Sequence, residues 1–171
     1  LVIANGSKPN YFGFRPAGGT LHSVHSYPRA LAFRDAFLRL AQQGEPPEVV
    51  VVGGGYTGLE IAASLRYGVG DNALRPRIRV VELGESVLPF LPEKKRERII
   101  SYLEEQEIEL RTGTSLQRLT EEEARLSDGT AIPNALVCWS AGMRAALDHV
   151  TGRVDRSRDG RFVTNESLQL P

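Results

Sequence analysis

The chain has 171 residues, and 21 Lys+Arg balance 21 Asp+Glu, giving zero formal net charge and a pI near 7.0. That balance excludes the basic footprint of a general nucleic-acid binder. A single cysteine excludes an internal disulfide framework or a cysteine-cluster metal site, and no apolar run approaches the ~20 residues that span a bilayer. In chain order, Leu1 to Ala4 reads as an apolar strand ending in the turn Asn5-Gly6-Ser7, and residues 8 to 25, rich in Gly, Pro and Asn, read as an irregular loop. The first residue is Leu and the only methionine is Met143, so the sequence reads as a piece of a longer or processed chain. Ser26 is placed to cap a helix with Pro28 near its start. Tyr27, Ala30, Leu31, Phe37, Leu38 and Ala41 recur at helical spacing and predict one buried stripe. Gly44 and Pro46-Pro47 stop it.

Glu48 to Val52 is a β-branched run suited to the centre of a parallel sheet. It enters Gly53-Gly54-Gly55, after which a helix is predicted from about Tyr56 to Tyr67. A polar loop from Gly68 to Pro76 leads to a second strand, Ile78 to Glu82. Pro92 opens another helix with Ile99, Ile100 and Leu103 facing inward, and Ile108 to Arg111 forms a third strand. Ser115–Leu119, Ala124–Ser127 and Thr130–Ile132 are short extended pieces with Asp128-Gly129 as a hairpin turn, which predicts a small antiparallel meander. Leu136 to Trp139 is the last apolar strand, and the tail from Gly152 carries a second hairpin signal at Asp159-Gly160. The order β-α-β-α-β-meander-β predicts an α/β, Rossmann-like three-layer domain, a parallel sheet with a small antiparallel β-meander.

Gly53-Gly54-Gly55-Tyr56-Thr57-Gly58 matches G-x-G-x-x-G. The string alone is weak, but it follows a β-branched strand, opens a helix, and is followed by a strand ending in an acid, Glu82. In that setting Gly53 permits the tight turn, Gly55 lets a pyrophosphate approach the backbone, and Gly58 lets the helix pack on the sheet. The amides around Tyr56 and Thr57 point at phosphates, aided by the helix dipole. Glu82 is positioned to accept hydrogen bonds from ribose hydroxyls, and its charge repels a 2′-phosphate. Leu83-Gly84-Glu85-Ser86 contains no Arg to receive one, so NADH is favoured over NADPH. Arg75, Arg77 and Arg79 read as solvated charges. The motif by itself does not separate NAD from FAD.

Leu1 to Ser7 is similar to the LVIATGS motif that precedes the NADH domain of two-dinucleotide flavoprotein reductases. Asn10-Tyr11-Phe12-Gly13, Val50 to Glu60 (VVVGGGYTGLE), Val81 to Pro89, Leu136 to Ala145 and Ser167 to Pro171 resemble, in the same order, motifs of type II NADH dehydrogenases in the pyridine nucleotide-disulfide oxidoreductase superfamily. The resemblance implies cofactor contacts at Gly53, Gly55, Tyr56, Thr57, Gly58 and Glu82. It places Glu60 near the nicotinamide, Ala141 and Gly142 where a second loop closes over the dinucleotide, and Leu116 either against adenine or in the meander core. Asn5 and Ser140 stand where threonine and alanine are usual.

On this resemblance residues 1–25 flank from a flavin domain, 26–150 bind NAD(H), and 151–171 return toward the flavin domain. Neither the N-terminal flavin fingerprint nor the GD motif is in this sequence, so a complete flavin site is not expected. The implied function is passage of hydride from NADH to FAD in the full-length parent, with quinone as final acceptor; this chain alone binds NADH without turnover. The alternatives are another two-dinucleotide flavoprotein (a sulfide:quinone, ferredoxin or disulfide reductase) and a non-catalytic NADH-sensing module. No catalytic side chain and no metal ligand is assigned. The partners implied are NADH, the parent's flavin domain, quinone and a membrane surface, in a cytoplasmic protein whose parent is peripheral on the membrane. His22-x-x-His25 reads as ordinary loop histidines, Cys138 as a buried small residue, Glu121 to Glu123 as a solvated turn, and Lys94, Lys95, Arg96 and Arg98 as a solvated helix face.

Overall fold

The computed structural model describes residues 2–68, 75–148, 150, 154–157 and 159–170. Its elements are β1 (Ser7–Pro9), β2 (Leu21–His22), α1 (Tyr27–Ala41), β3 (Glu48–Val52), α2 (Tyr56–Tyr67), β4 (Arg77–Val81), α3 (Glu93–Glu105), β5 (Ile108–Arg111), β6 (Leu116–Leu119), β7 (Glu123–Leu126), β8 (Ala131–Pro133), β9 (Leu136–Trp139) and β10 (Met143–Ala145). They divide into two compact units, Tyr11–Ala141 and a smaller one made of Leu1–Asn10 with Gly142–Pro171.

The larger unit is built on a five-stranded sheet of order β2-β9-β3-β4-β5, parallel throughout. Side chains alternate across a strand, so β3 feeds both faces. Val49 and Val51 join Phe33, Leu59, Ile78, Val80, Leu103 and Cys138 beneath the helices. Val50 and Val52 join Val81, Leu126, Ile132, Val137 and Trp139 beneath the three-stranded antiparallel sheet β6-β7-β8. A strand covered on both sides has no use for alternation, which is why its sequence is an unbroken valine run. Helices, parallel sheet and meander are the three layers expected.

The smaller unit pairs β1 antiparallel with β10, Ser7 opposite Ala145 and Pro9 opposite Met143. Its tail forms a hairpin in which Arg156 bridges Phe162 and the Ser157 amide donates to the Arg161 carbonyl, around Asp159-Gly160 as the sequence suggests.

Three expectations need correction. The apolar run at the start forms no strand over residues 2–4, and Val2 is 88% exposed. The strand forms instead at Ser7–Pro9, where a backbone partner exists in β10, an element too short for its sequence to announce. The buried stripe of α1 is carried by Phe33 and Phe37, whereas Tyr27 and Leu38 are exposed. Helical spacing fits several stripes at once, and the two Phe rings win the face toward the sheet. Arg79 is not a solvated charge: its side chain is only 20% exposed, paired with Glu48 and, at 2.7 Å, with Glu109. Arg77 also pairs with Glu48, and Arg75 is solvated, 3.6 Å from Glu107. Most of the loop expected between Gly68 and Pro76 lies outside the described residues. Among the described residues no helix is long and apolar enough to cross a membrane.

Candidate functional site

The site grows from the carboxyl end of β3. The Gly53 amide donates to the Val81 carbonyl at 2.8 Å, extending the β3–β4 ladder by one bond. The chain then turns with Gly53 at φ 115°, and a Cβ there would lie 2.7 Å from the backbone N and Cα of Ala141. Only a residue without a side chain lets the exit of β9 cross so near. Ser140 fixes that crossing: its amide and its hydroxyl both donate to the Val52 carbonyl, at 2.8 and 2.9 Å. Gly58 closes the arrangement from the helix side, since a Cβ would sit 1.9 Å from the Gly53 carbonyl oxygen and 2.8 Å from the Ser140 hydroxyl.

Gly55 is the N-cap of α2, in extended conformation and with no side-chain cap. The first intrahelical bond runs from the Leu59 amide to the Gly55 carbonyl at 3.1 Å, so the amides of Tyr56, Thr57 and Gly58 have no acceptor within the helix. The first turn carries no acid. A Cβ on Gly55 would meet nothing within 4 Å: the glycine faces open space in front of those amides. Partial positive charge, exposed donors and room for backbone approach together suit an anionic oxygen.

Glu82 follows β4 and is partly exposed. Its Oε2 accepts from the Gly54 amide at 2.7 Å and its Oε1 from the Gly84 amide at 2.8 Å. A carboxylate has about four acceptor positions, so each oxygen retains one for a further donor. Tyr56 and Thr57 are exposed at the helix mouth, and the Tyr56 ring stands 5.0 Å from that of Phe90. Glu60, also exposed, lines with Thr57 one end of a largely apolar groove of about 500 Å³ between α1 and α2, floored by Phe33, Phe37, Ile61 and Leu65. Ala141 lies against the glycine turn. Gly142, the next residue, has φ 143° and accepts from the Asn10 amide at 3.0 Å.

Gly53, Gly55, Tyr56, Thr57, Gly58, Glu82 and Ala141 thus converge on one end of the sheet, while Glu60 stands one helical turn away. Sequence reasoning missed Gly54, Gly84, Ser140 and Phe90. Gly54 and Ser140 act through bonds to residues distant in sequence and Gly84 through its amide two residues after Glu82, and only the departure from alanine at Ser140 gave a signal.

Elsewhere, Leu116 is buried in the meander core. Cys138 is fully buried, and burial pushes its thiol up to about 12, which makes it a small apolar filler. His22 is held below the ordinary histidine value by burial and by Arg39, and the His25 Nδ1 lies 3.0 Å from the Ser23 hydroxyl.

Comparison with known proteins fits this geometry. The chain is 29% identical to the demethylphylloquinone reductase NdbB of Synechocystis over 99% of its length and 42% of that protein. It is 28% identical to the type II NADH:quinone oxidoreductase of Haemophilus influenzae, covering 99% of this chain and 45% of that one. It therefore spans less than half of these curated relatives. Among solved structures, reduced CoADR-RHD of Bacillus anthracis superposes with a TM-score of 0.77 at 19% identity, over 96% of this chain and 29% of that one. NDH2 of Plasmodium falciparum in complex with NADH gives 0.72 at 18% identity, over 81% and 33%. Both share the fold. The family profile described as pyridine nucleotide-disulphide oxidoreductase matches residues 1–171, and the chain belongs to that family.

Proposed function

We propose that this chain is the NADH-binding part of an FAD-dependent oxidoreductase that passes hydride from NADH to flavin, with a quinone as the final acceptor. The observation that carries the reading is the juxtaposition of an uncapped helix mouth, open space at Gly55, and a carboxylate bonded to the same glycine turn. The amides of Tyr56, Thr57 and Gly58 hold the pyrophosphate. The remaining acceptor positions of Glu82 take the ribose hydroxyls, and its charge disfavours a 2′-phosphate. Ala141 and Gly142 form the second backbone wall, and Thr57 and Glu60 lie toward the nicotinamide. When bound, NADH supplies a hydride. The residues here supply orientation and exclusion of water, not acid–base chemistry, and no flavin site is assigned to them. In the whole protein residues 1–25 and 151–171 join the flavin domain, and the parent works in the cytoplasm as a peripheral protein at a membrane surface, where quinone is found. The relatives named as quinone reductases support quinone as the acceptor.

Titration of the 171-residue chain with NADH and NADPH, followed by nucleotide fluorescence, tests the reading. NADH is expected to bind and NADPH to bind about tenfold more weakly or worse, a difference of about 1.4 kcal/mol. The chain alone should not oxidise NADH. Equal affinity for both nucleotides, or turnover by the chain alone, overturns the assignment.

A further inference from the structure

The geometry points to a second task for Glu82: besides facing the ribose, its carboxylate is the strut that holds the phosphate-binding turn in shape, so nucleotide choice and turn geometry depend on one side chain. This rests on the dinucleotide reading for its consequence, though the strut itself exists in the ligand-free protein. Gly54 is a buried residue lying beyond Val52, where the pairing of β3 with both neighbouring strands ends. The acceptor of its amide is Oε2 of Glu82 at 2.7 Å, a charge-assisted bond between positions 28 apart in sequence. The other oxygen takes the Gly84 amide at 2.8 Å, which fixes the carboxylate's orientation from its own loop. Steric fit agrees, because a Cβ at Gly54 would lie 2.7 Å from Val87 Cγ1 and 3.0 Å from Glu82 Cβ. The middle glycine is therefore small so that the acid can come beneath it. The Gly54 carbonyl is tied as well, accepting from the Leu88 amide at 3.1 Å, so both polar groups of this residue are anchored on the segment following β4.

The consequence concerns specificity. Exchange of Glu82 for Arg removes the negative charge that opposes a 2′-phosphate, but it also removes both amide acceptors. Discrimination then relaxes because NADH is lost, without NADPH gaining the affinity that a simple charge swap would confer. A change of nucleotide preference needs a new acceptor for the Gly54 amide as well as a new partner for the phosphate.

The test uses the whole chain in Glu82→Gln and Glu82→Ala forms, with amide hydrogen exchange followed by NMR and with inorganic pyrophosphate as ligand. Pyrophosphate has no ribose, so a residue that only clasps the sugar leaves its binding unchanged, or improves it when a negative charge is deleted. The strut predicts faster exchange at Gly54 and Gly84 in Glu82→Ala, while the Gly53 amide, bonded to Val81, stays protected. In Glu82→Gln, whose amide offers one acceptor oxygen, one of the two glycine amides keeps its protection. Pyrophosphate affinity is expected to fall about ten- to hundredfold in Glu82→Ala, the range of one charged hydrogen bond. Unchanged exchange at Gly54 in both variants overturns the proposal, as does undiminished pyrophosphate binding. Should even the unmodified chain ignore pyrophosphate, the dinucleotide reading fails, and the exchange rates at Gly54 still decide whether the strut exists.

Discussion

A methyl group added at two of the motif glycines meets opposite surroundings. At Gly58 it would begin 1.9 Å from the Gly53 carbonyl oxygen, whereas at Gly55 it would have nothing within 4 Å. Backbone does not yield as a flexible side chain does, so Gly58→Ala is expected to destabilise the fold by about 1–3 kcal/mol. Gly55→Ala should cost less, about 0.5–1 kcal/mol, because its φ of −81° suits any residue and only the preference of an N-cap for glycine over alanine is lost. It should still weaken NADH binding markedly by filling the space in front of the helix amides. Urea denaturation with NADH titration on both variants separates the two effects; a larger loss of stability at Gly55 than at Gly58 would reverse their roles. The tight packing at Gly58 and the open space at Gly55 were legible in the sequence, because G-x-G-x-x-G between a strand and a helix has only a few geometric solutions. The bond from Gly54 to Glu82 and the Ser140 hydroxyl on Val52 were not, since each depends on which backbone groups other elements leave unsatisfied.

At the scale of elements, β3, α2, β5 and β9 begin and end where the sequence placed them, β3 and β9 as apolar runs, α2 as a helical segment between glycines, and β5 as an alternation of apolar and charged residues. The failures are informative in the same terms. β10 is three residues long and exists because β1 offers it a partner, and the described residues 2–4 of the first apolar run form no strand. The ladder Glu48–Arg77–Arg79–Glu109, linking the neighbouring strands β3, β4 and β5, was likewise invisible until register set Glu48 opposite Arg77 and Arg79 opposite Glu109. Burial pushes the Glu48 carboxyl up, but hydrogen bonds and charge from Arg77 and Arg79 outweigh it and hold the group below its ordinary value of 4.5. A carboxylate depressed in the folded state contributes stability that is fully present above that ordinary value. The contribution is lost as pH falls through the lower folded value. Glu48→Gln should therefore lower Tm at neutral pH and flatten its decline below pH 4.5. Thermal melts of both proteins from about pH 7 to about pH 3 check this; parallel acid limbs would remove Glu48 from the account.

For the whole molecule, the division of the chain into two units makes a sharper demand. The glycine turn, Glu82, Ser140 and Ala141 all lie within Tyr11–Ala141, together with the five-stranded sheet and both core clusters that cover its faces. Gly142 alone among the assigned residues falls in the other unit. A unit with its own core and its own hydrogen-bonded sheet can fold as a cooperative whole. A chain trimmed to residues 11–141 should accordingly melt in one transition and bind NADH within about threefold of the full chain, about 0.6 kcal/mol. NADH should raise its Tm, since a ligand that binds only the folded state stabilises it by about 2.7 kcal/mol at a hundred times Kd. Should the trimmed chain fold yet lose NADH, the dinucleotide depends on residues 1–10 or on Gly142 and the residues after it, and the phosphate mouth by itself is insufficient. Were it to lose the cooperative transition, the smaller unit would be part of the fold's stability and not an appendage to it. Retention of both places the whole recognition apparatus on the carboxyl edge of one parallel sheet, where open α/β sheets bind their ligands.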